Sequence, residues 1–95
     1  MQLSRHGRLA REYWQTYRPH GLEGLGTPEE QEAFFVRLDL RLTERIGSLA
    51  QEMLQEVPVD ERAMARSAVR AQAQELVYAE EVFLEKEEGT EHREM

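Results

Sequence analysis

Apolar side chains recur at steps of three and four along most of the chain, and apolar/polar alternation never runs far. That period lines one face of a helix, so the pattern predicts helices and no sheet. The first helix starts after Ser4, a good N-cap, and runs to about Tyr17. Leu9, Tyr13 and Tyr17 lie on one face, with Ala10 and Trp14 beside them. Arg18-Pro19 ends it, because the residue before a proline is pushed out of the α region. The stretch "PHGLEGLGT" (19–27) then reads as a glycine-rich break whose Leu22 and Leu25 pin it to the core.

Thr27-Pro28-Glu29-Glu30 marks the second helix start: threonine caps, proline suits the first turn, and Glu30 completes a capping box. The seam Phe35, Leu38, Leu42, Ile46, Leu49, Met53 follows, until Val57-Pro58 stops it after a rise of about 43 Å. Gly47 interrupts the seam and reads as a close backbone contact. The third helix begins at Asp60 and runs to about Glu87, with Ala65, Val69, Gln72, Ala73, Leu76, Ala79 and Phe83 along its seam. Its alanines allow close approach, bringing Ile46 and Leu49 over Ala68 and Ala71. Gly89-Thr90 ends order.

The expected architecture is all-α: a short N-terminal helix packed on a long antiparallel helical hairpin, three-helix bundle-like. Residues 1–88 form one domain and 89–95 a disordered acidic tail. Pairing the hairpin around 57–60 sets Arg37 near Glu80 and Glu81, and Glu56 near Arg62. A first helix of about 20 Å covers only half of such a hairpin. Half of its apolar seam is then bare, and bare seams recruit another copy or another protein.

Composition sharpens this picture. With 95 residues and no cysteine, the core is thin and has neither disulfides nor thiolate metal sites to help it. Oligomerisation, as a homodimer, is the expected support. No run reaches the length of a membrane span and no secretory signal is visible, so the expectation is a cytoplasmic protein with no membrane association. The net charge of −7 is uneven. Residues 1–20 hold four arginines against Glu12, whereas residues 80–95 hold seven glutamates against Lys86 and Arg93. A basic head and an acidic tail orient a partner and do not coat nucleic acid. Eleven of the twelve basic residues are arginine, the bias of a GC-rich bacterial or phage genome.

Catalytic patterns are missing. His6, His20 and His92 stand apart with no H-E-x-x-H spacing, the serines lack a G-x-S-x-G setting, and the glycines lack a following Lys-Ser/Thr. No enzyme activity, metal or cofactor is expected. Arg37-Arg41-Arg45 and Arg62-Arg66-Arg70 each run at four-residue steps. They read either as a phosphate or acidic-partner clamp or as stems that cover the seam and pair with glutamates, and the second reading is favoured. Two candidate partner-binding surfaces remain. One is Arg8, Arg11, Trp14 and Arg18, residue types that anchor interfaces. The other is Glu80, Glu81, Glu85 and Glu88, within an acidic end able to imitate nucleic-acid phosphates.

"GRLAREYWQTYRP" (7–19) and "VRAQAQELVYAEEV" (69–82) resemble segments of the small transposon-encoded TnpV proteins, with His6 where an aromatic usually precedes the Gly-Arg. The resemblance implies a mobile-element accessory protein and no active site. The expected function is a non-catalytic interaction protein of a mobile element. Its preferred form is an inhibitor or regulator of a host nucleic-acid-processing complex, of the anti-CRISPR type. The alternatives are an accessory subunit of a transposon or conjugation complex, and a DNA-binding regulator.

Overall fold

Ser4 opens the first helix in extended conformation, its hydroxyl accepting from the His6 amide. A computed structural model describes residues 2–95 and places α1 at Arg5–Tyr17. His6, Gly7, Ala10, Tyr13, Trp14 and Tyr17 are its buried positions, spaced to lie on one face. Arg18 ends α1, as the following proline requires.

The chain does not then loop out. Pro19–Gly24 forms a short second helix, α2, where a glycine-rich break was expected. Proline suits its first turn, and the free amides of His20 and Gly21 find an acceptor in the Glu87 carboxylate, at 3.0 and 2.8 Å. Leu22 and Leu25 pack against the core. Gly26, at φ +117°, then turns the chain as only glycine does without strain.

The long helix α3, Pro28–Gln55, begins with the full capping box. Thr27 Oγ1 accepts from the Glu30 amide at 3.2 Å while Glu30 Oε1 accepts from the Thr27 amide at 3.1 Å. A single 3₁₀ turn, Val59–Glu61, leads into α4 at Arg62–Glu81, antiparallel to α3. No strand occurs among the described residues, and the all-α class is established: a long helix packed against the others in a bundle-like arrangement.

α4 departs from its expected course at both ends. It starts at Arg62, two residues after Asp60, and stops at Glu81, where the Val82 and Phe83 amides both turn to the Tyr78 carbonyl. Its seam is also rotated. Ala73, Val77 and Tyr78 are buried, whereas Leu76 and Phe83 are half exposed and Ala79 faces solvent. α1 is the cause. It draws His6 onto Tyr78 and Arg5 onto Gln74, so α4 must serve two neighbours and turns Val77 and Tyr78 inward. Ala68 and Ala71, expected beneath Ile46 and Leu49, are exposed.

Hairpin register shifts in the same sense. Arg37 reaches neither Glu80 nor Glu81; instead Arg41 pairs with Glu81 at 2.7 Å, and Arg45 bridges Glu80 and Glu81 at 2.9 and 2.8 Å. Arg62 donates to the carbonyls of Val57 and Gln55 and not to the Glu56 carboxylate. Those carbonyls belong to the end of α3, which has no further turn to satisfy them.

Residues 82–93, which reach into the tail expected over 89–95, form a strap along α1. Val82 is fully buried and Thr90 almost so. Tyr13 donates to the Leu84 carbonyl at 2.5 Å, and the Glu87 amide to the Tyr17 carbonyl at 2.8 Å. Tyr17 Oη donates to the Arg93 carbonyl, while Arg93 Nη1 returns to the Thr16 carbonyl. The reason lies in α1. Its last carbonyls have no helical partner and Pro19 brings no N–H, so a glutamate-rich segment still docks through its amides, Thr90 and Arg93.

The core therefore lies at one end. Its buried residues come from Leu3 and α1, from 35–46 of α3 and from 73–78 of α4, closed by Val82. Beyond them the hairpin continues alone.

Candidate protein-docking groove

From Gly47 to Gln55 in α3 and from Arg62 to Gln72 in α4, no residue is fully buried. This is the half of the hairpin that α1 does not cover. Ser4, Arg5 and His6 touch Asp39, Gln74 and Tyr78, so α1 begins at mid-hairpin and runs away from the distal turn. Leu49, Ala50, Met53, Leu54, Ala65 and Val69 are left half-buried, and at the tip Val59 and Met64 are 75% and 92% exposed. The bare seam expected from the helix lengths is present.

Its two sides differ. On one side a groove of about 430 Å³ runs between α3 and α4, floored by Gly47, Ala50, Leu54 and Val69 and walled by Arg62, Arg66 and Arg70. A side chain added at Gly47 would meet nothing within 4 Å, so this glycine marks open space and not the close contact expected. Arg62 is spent on backbone carbonyls, but Arg66 and Arg70 form no ion pair among the described residues. The opposite side is lined by Leu49, Met53, Val57 and Gln72 with Glu52 and Glu56, and is acidic.

The candidate surfaces fare unevenly. Trp14 is 7% exposed and packs edge-on against Phe34 and Phe35, with ring centroids at 5.3 and 6.0 Å. It is core, and Arg18 lies over it, 4.7 Å from the ring centroid, while donating to the Glu85 carbonyl. Arg8 and Arg11 are exposed, Arg8 reaching back to the Leu3 carbonyl. These four side chains therefore do not present one anchor surface. On the acidic side, Glu80 and Glu81 are held by Arg41 and Arg45, and only Glu85 and Glu88 stay exposed and unpaired among the described residues. Arg41 and Arg45 are occupied by the same bridges, so the first arginine stripe offers no phosphate clamp.

A buried polar tie between α1 and its neighbours escaped the sequence reading. Asp39 accepts from the amide and hydroxyl of Ser4, and His6 Nδ1 pairs with the Tyr78 hydroxyl. The signal was present: His6 falls in register with Ala10, Tyr13 and Tyr17, and Asp39 with Phe35, Leu42 and Ile46. Gly7 explains the closeness, since a Cβ there would stand 2.8 Å from the Asp39 Cβ. These groups turn toward one another between helices, which is the geometry of a fastening.

Burial lowers the His6 pKa from its ordinary 6.5, with Arg5 adding to the effect, Asp39 opposing it and Arg70 reinforcing it. The neutral imidazole is thus favoured in the fold. Below pH 6.5 the unfolded chain binds a proton that the folded chain resists, so the His6 contribution is complete above that pH and is lost as pH falls toward the folded value. The melting temperature of the wild type is therefore expected to fall more steeply between pH 7 and 5 than that of His6→Gln. Parallel profiles would show that His6 titrates as if exposed.

Comparison with protein-family models, curated proteins and solved structures finds no match. No described helix is long and apolar enough to cross a membrane, and no three potential metal ligands gather among the described residues.

Proposed function

We propose that this chain is a non-catalytic protein-interaction module that docks through the distal half of its α3–α4 hairpin. We place it in the cytoplasm as a small regulatory or accessory subunit of a mobile element's nucleic-acid-processing machinery. One observation carries the docking reading: α3 and α4 run on past the core for several turns with no fully buried residue. A two-helix arm with a half-covered apolar seam is under-stabilised by itself and gains from a third or fourth helix. The setting follows from the TnpV-like segments, which fall on α1 and α4, the elements that hold the arm in place.

An inhibitor of a host complex remains one form of this proposal. Its acidic-mimicry version has less to draw on, because Arg41 and Arg45 neutralise Glu80 and Glu81. A homodimer through Leu49, Met53 and Val57 is a second reading, supported by the half-buried face those residues form.

The test is affinity capture from a nuclease-treated GC-rich bacterial lysate with wild type and Gly47→Trp. A Cβ at Gly47 meets nothing within 4 Å and opens onto the groove of about 430 Å³, so the variant should melt with the wild type while losing a partner that the wild type retains. Capture of the same proteins by both would remove the arm from the function.

A further inference from the structure

Resting on that reading of the arm, we propose that the arginine-walled groove binds an acidic amphipathic helix of a partner protein, laid where α1 would run if it continued past Ser4. Three features converge on this occupant. First, the groove continues the seat of α1: Arg70 lies one turn along α4 from Gln74, which α1 contacts, and Gly47 lies two turns along α3 from Asp39. A helix already rests on the neighbouring stretch of this same valley.

Second, the floor suits a helix. Gly47 and Ala50 carry little or no side chain, and Leu54 and Val69 offer apolar contact. Such a floor allows helix axes to approach to about 8–10 Å. Duplex or single-stranded nucleic acid would leave this apolar strip unmatched.

Third, the charges are unanswered. Arg66 and Arg70 find no carboxylate among the described residues of a chain with nineteen acidic side chains. They stand about 6 Å apart along the helix, the rise of four residues. Carboxylates at four-residue steps on a roughly parallel or antiparallel helix match that spacing, each able to accept a guanidinium fork. The partner segment thus has apolar residues at i, i+3 and i+7, flanked on one side by Glu or Asp at i+4 repeats.

The test uses the full chain and a fluorescein-labelled synthetic peptide of about four helical turns, with leucines at those apolar positions and glutamates at the flanking steps. Anisotropy should report binding that weakens with salt. It should drop by about tenfold or more in Arg66→Glu/Arg70→Glu, and survive in Arg37→Glu, whose arginine lies outside the groove. Equal binding of a peptide with glutamine for glutamate overturns the proposal, as does unchanged binding by the double reversal. So does tighter binding of duplex DNA through the same arginines, or a dimer in sedimentation that the double reversal dissolves. If the peptide fails while Gly47→Trp still abolishes capture of a cellular partner, the acidic-helix assignment falls and the docking arm stands. If both fail, both fall.

Discussion

Trp14→Ala is expected to destabilise the fold by ~3–5 kcal/mol, a fall in melting temperature of about 15 °C or more for a domain of this size. The indole is the wedge between α1 and the first turns of α3, gripped by Phe34 and Phe35 and covered by Arg18. Gly21 stands over it, since a Cβ there would come within 3.2 Å of the ring. Removing the indole leaves a cavity that helices tied at both ends of α1 cannot collapse into. Trp14→Phe should keep most of the stability, because Trp14 Nε1 has no acceptor among the described residues and no hydrogen bond is forfeited. The check is a pair of thermal or denaturant melts. An alanine variant melting with the wild type would put the ring outside the core and revive it as a docking anchor.

Gly7→Val should act at the other end of α1, with a loss of about 1–3 kcal/mol from overpacking. The obstructing atom is the Cβ of Asp39, at 2.8 Å, and not the tip of a flexible side chain. Relief therefore requires the helices themselves to part. That separation pulls Ser4 from Asp39 and His6 from Tyr78. The variant carries a second signature: His6 regains solvent and its pKa rises back toward 6.5, readable by proton NMR of the imidazole. A valine variant in which His6 keeps its depressed pKa would mean that α1 is not seated through Gly7.

These two residues illustrate what the sequence made legible. The three longer helices, the capping box at Thr27 and the bare half of the hairpin follow from periodicity and helix length, because each depends on neighbours along the chain. Trp14 was ambiguous since it lies at the edge of the α1 stripe, and only Phe34 and Phe35 on another helix decide its burial. The stretch 82–87 was misjudged for a related reason. Local propensity favours helix to Glu87, but tertiary contact with Tyr13 and Tyr17 draws the chain straight from Val82 onward. The α2 turn depends on Glu87, 66 residues away from Gly21, and no window of sequence contains both. The groove itself was half visible: its arginine stripe was seen, but whether carboxylates answered it required the register of α3 on α4.

The strap also sets the order in which the chain can assemble. α1 is made well before the groups at Gln74, Tyr78, Leu84, Glu87 and Arg93 that hold it. Tyr17 waits for Arg93 across 76 residues, about 4–15 s of synthesis at ordinary rates. During that interval the α3–α4 hairpin can close on local contacts and Trp14 can meet Phe34 and Phe35, while the hydroxyls of Tyr13 and Tyr17 lack the carbonyls to which they donate. Synthesis of the C-terminal strap, more than collapse of the hairpin, thus times the completion of the fold.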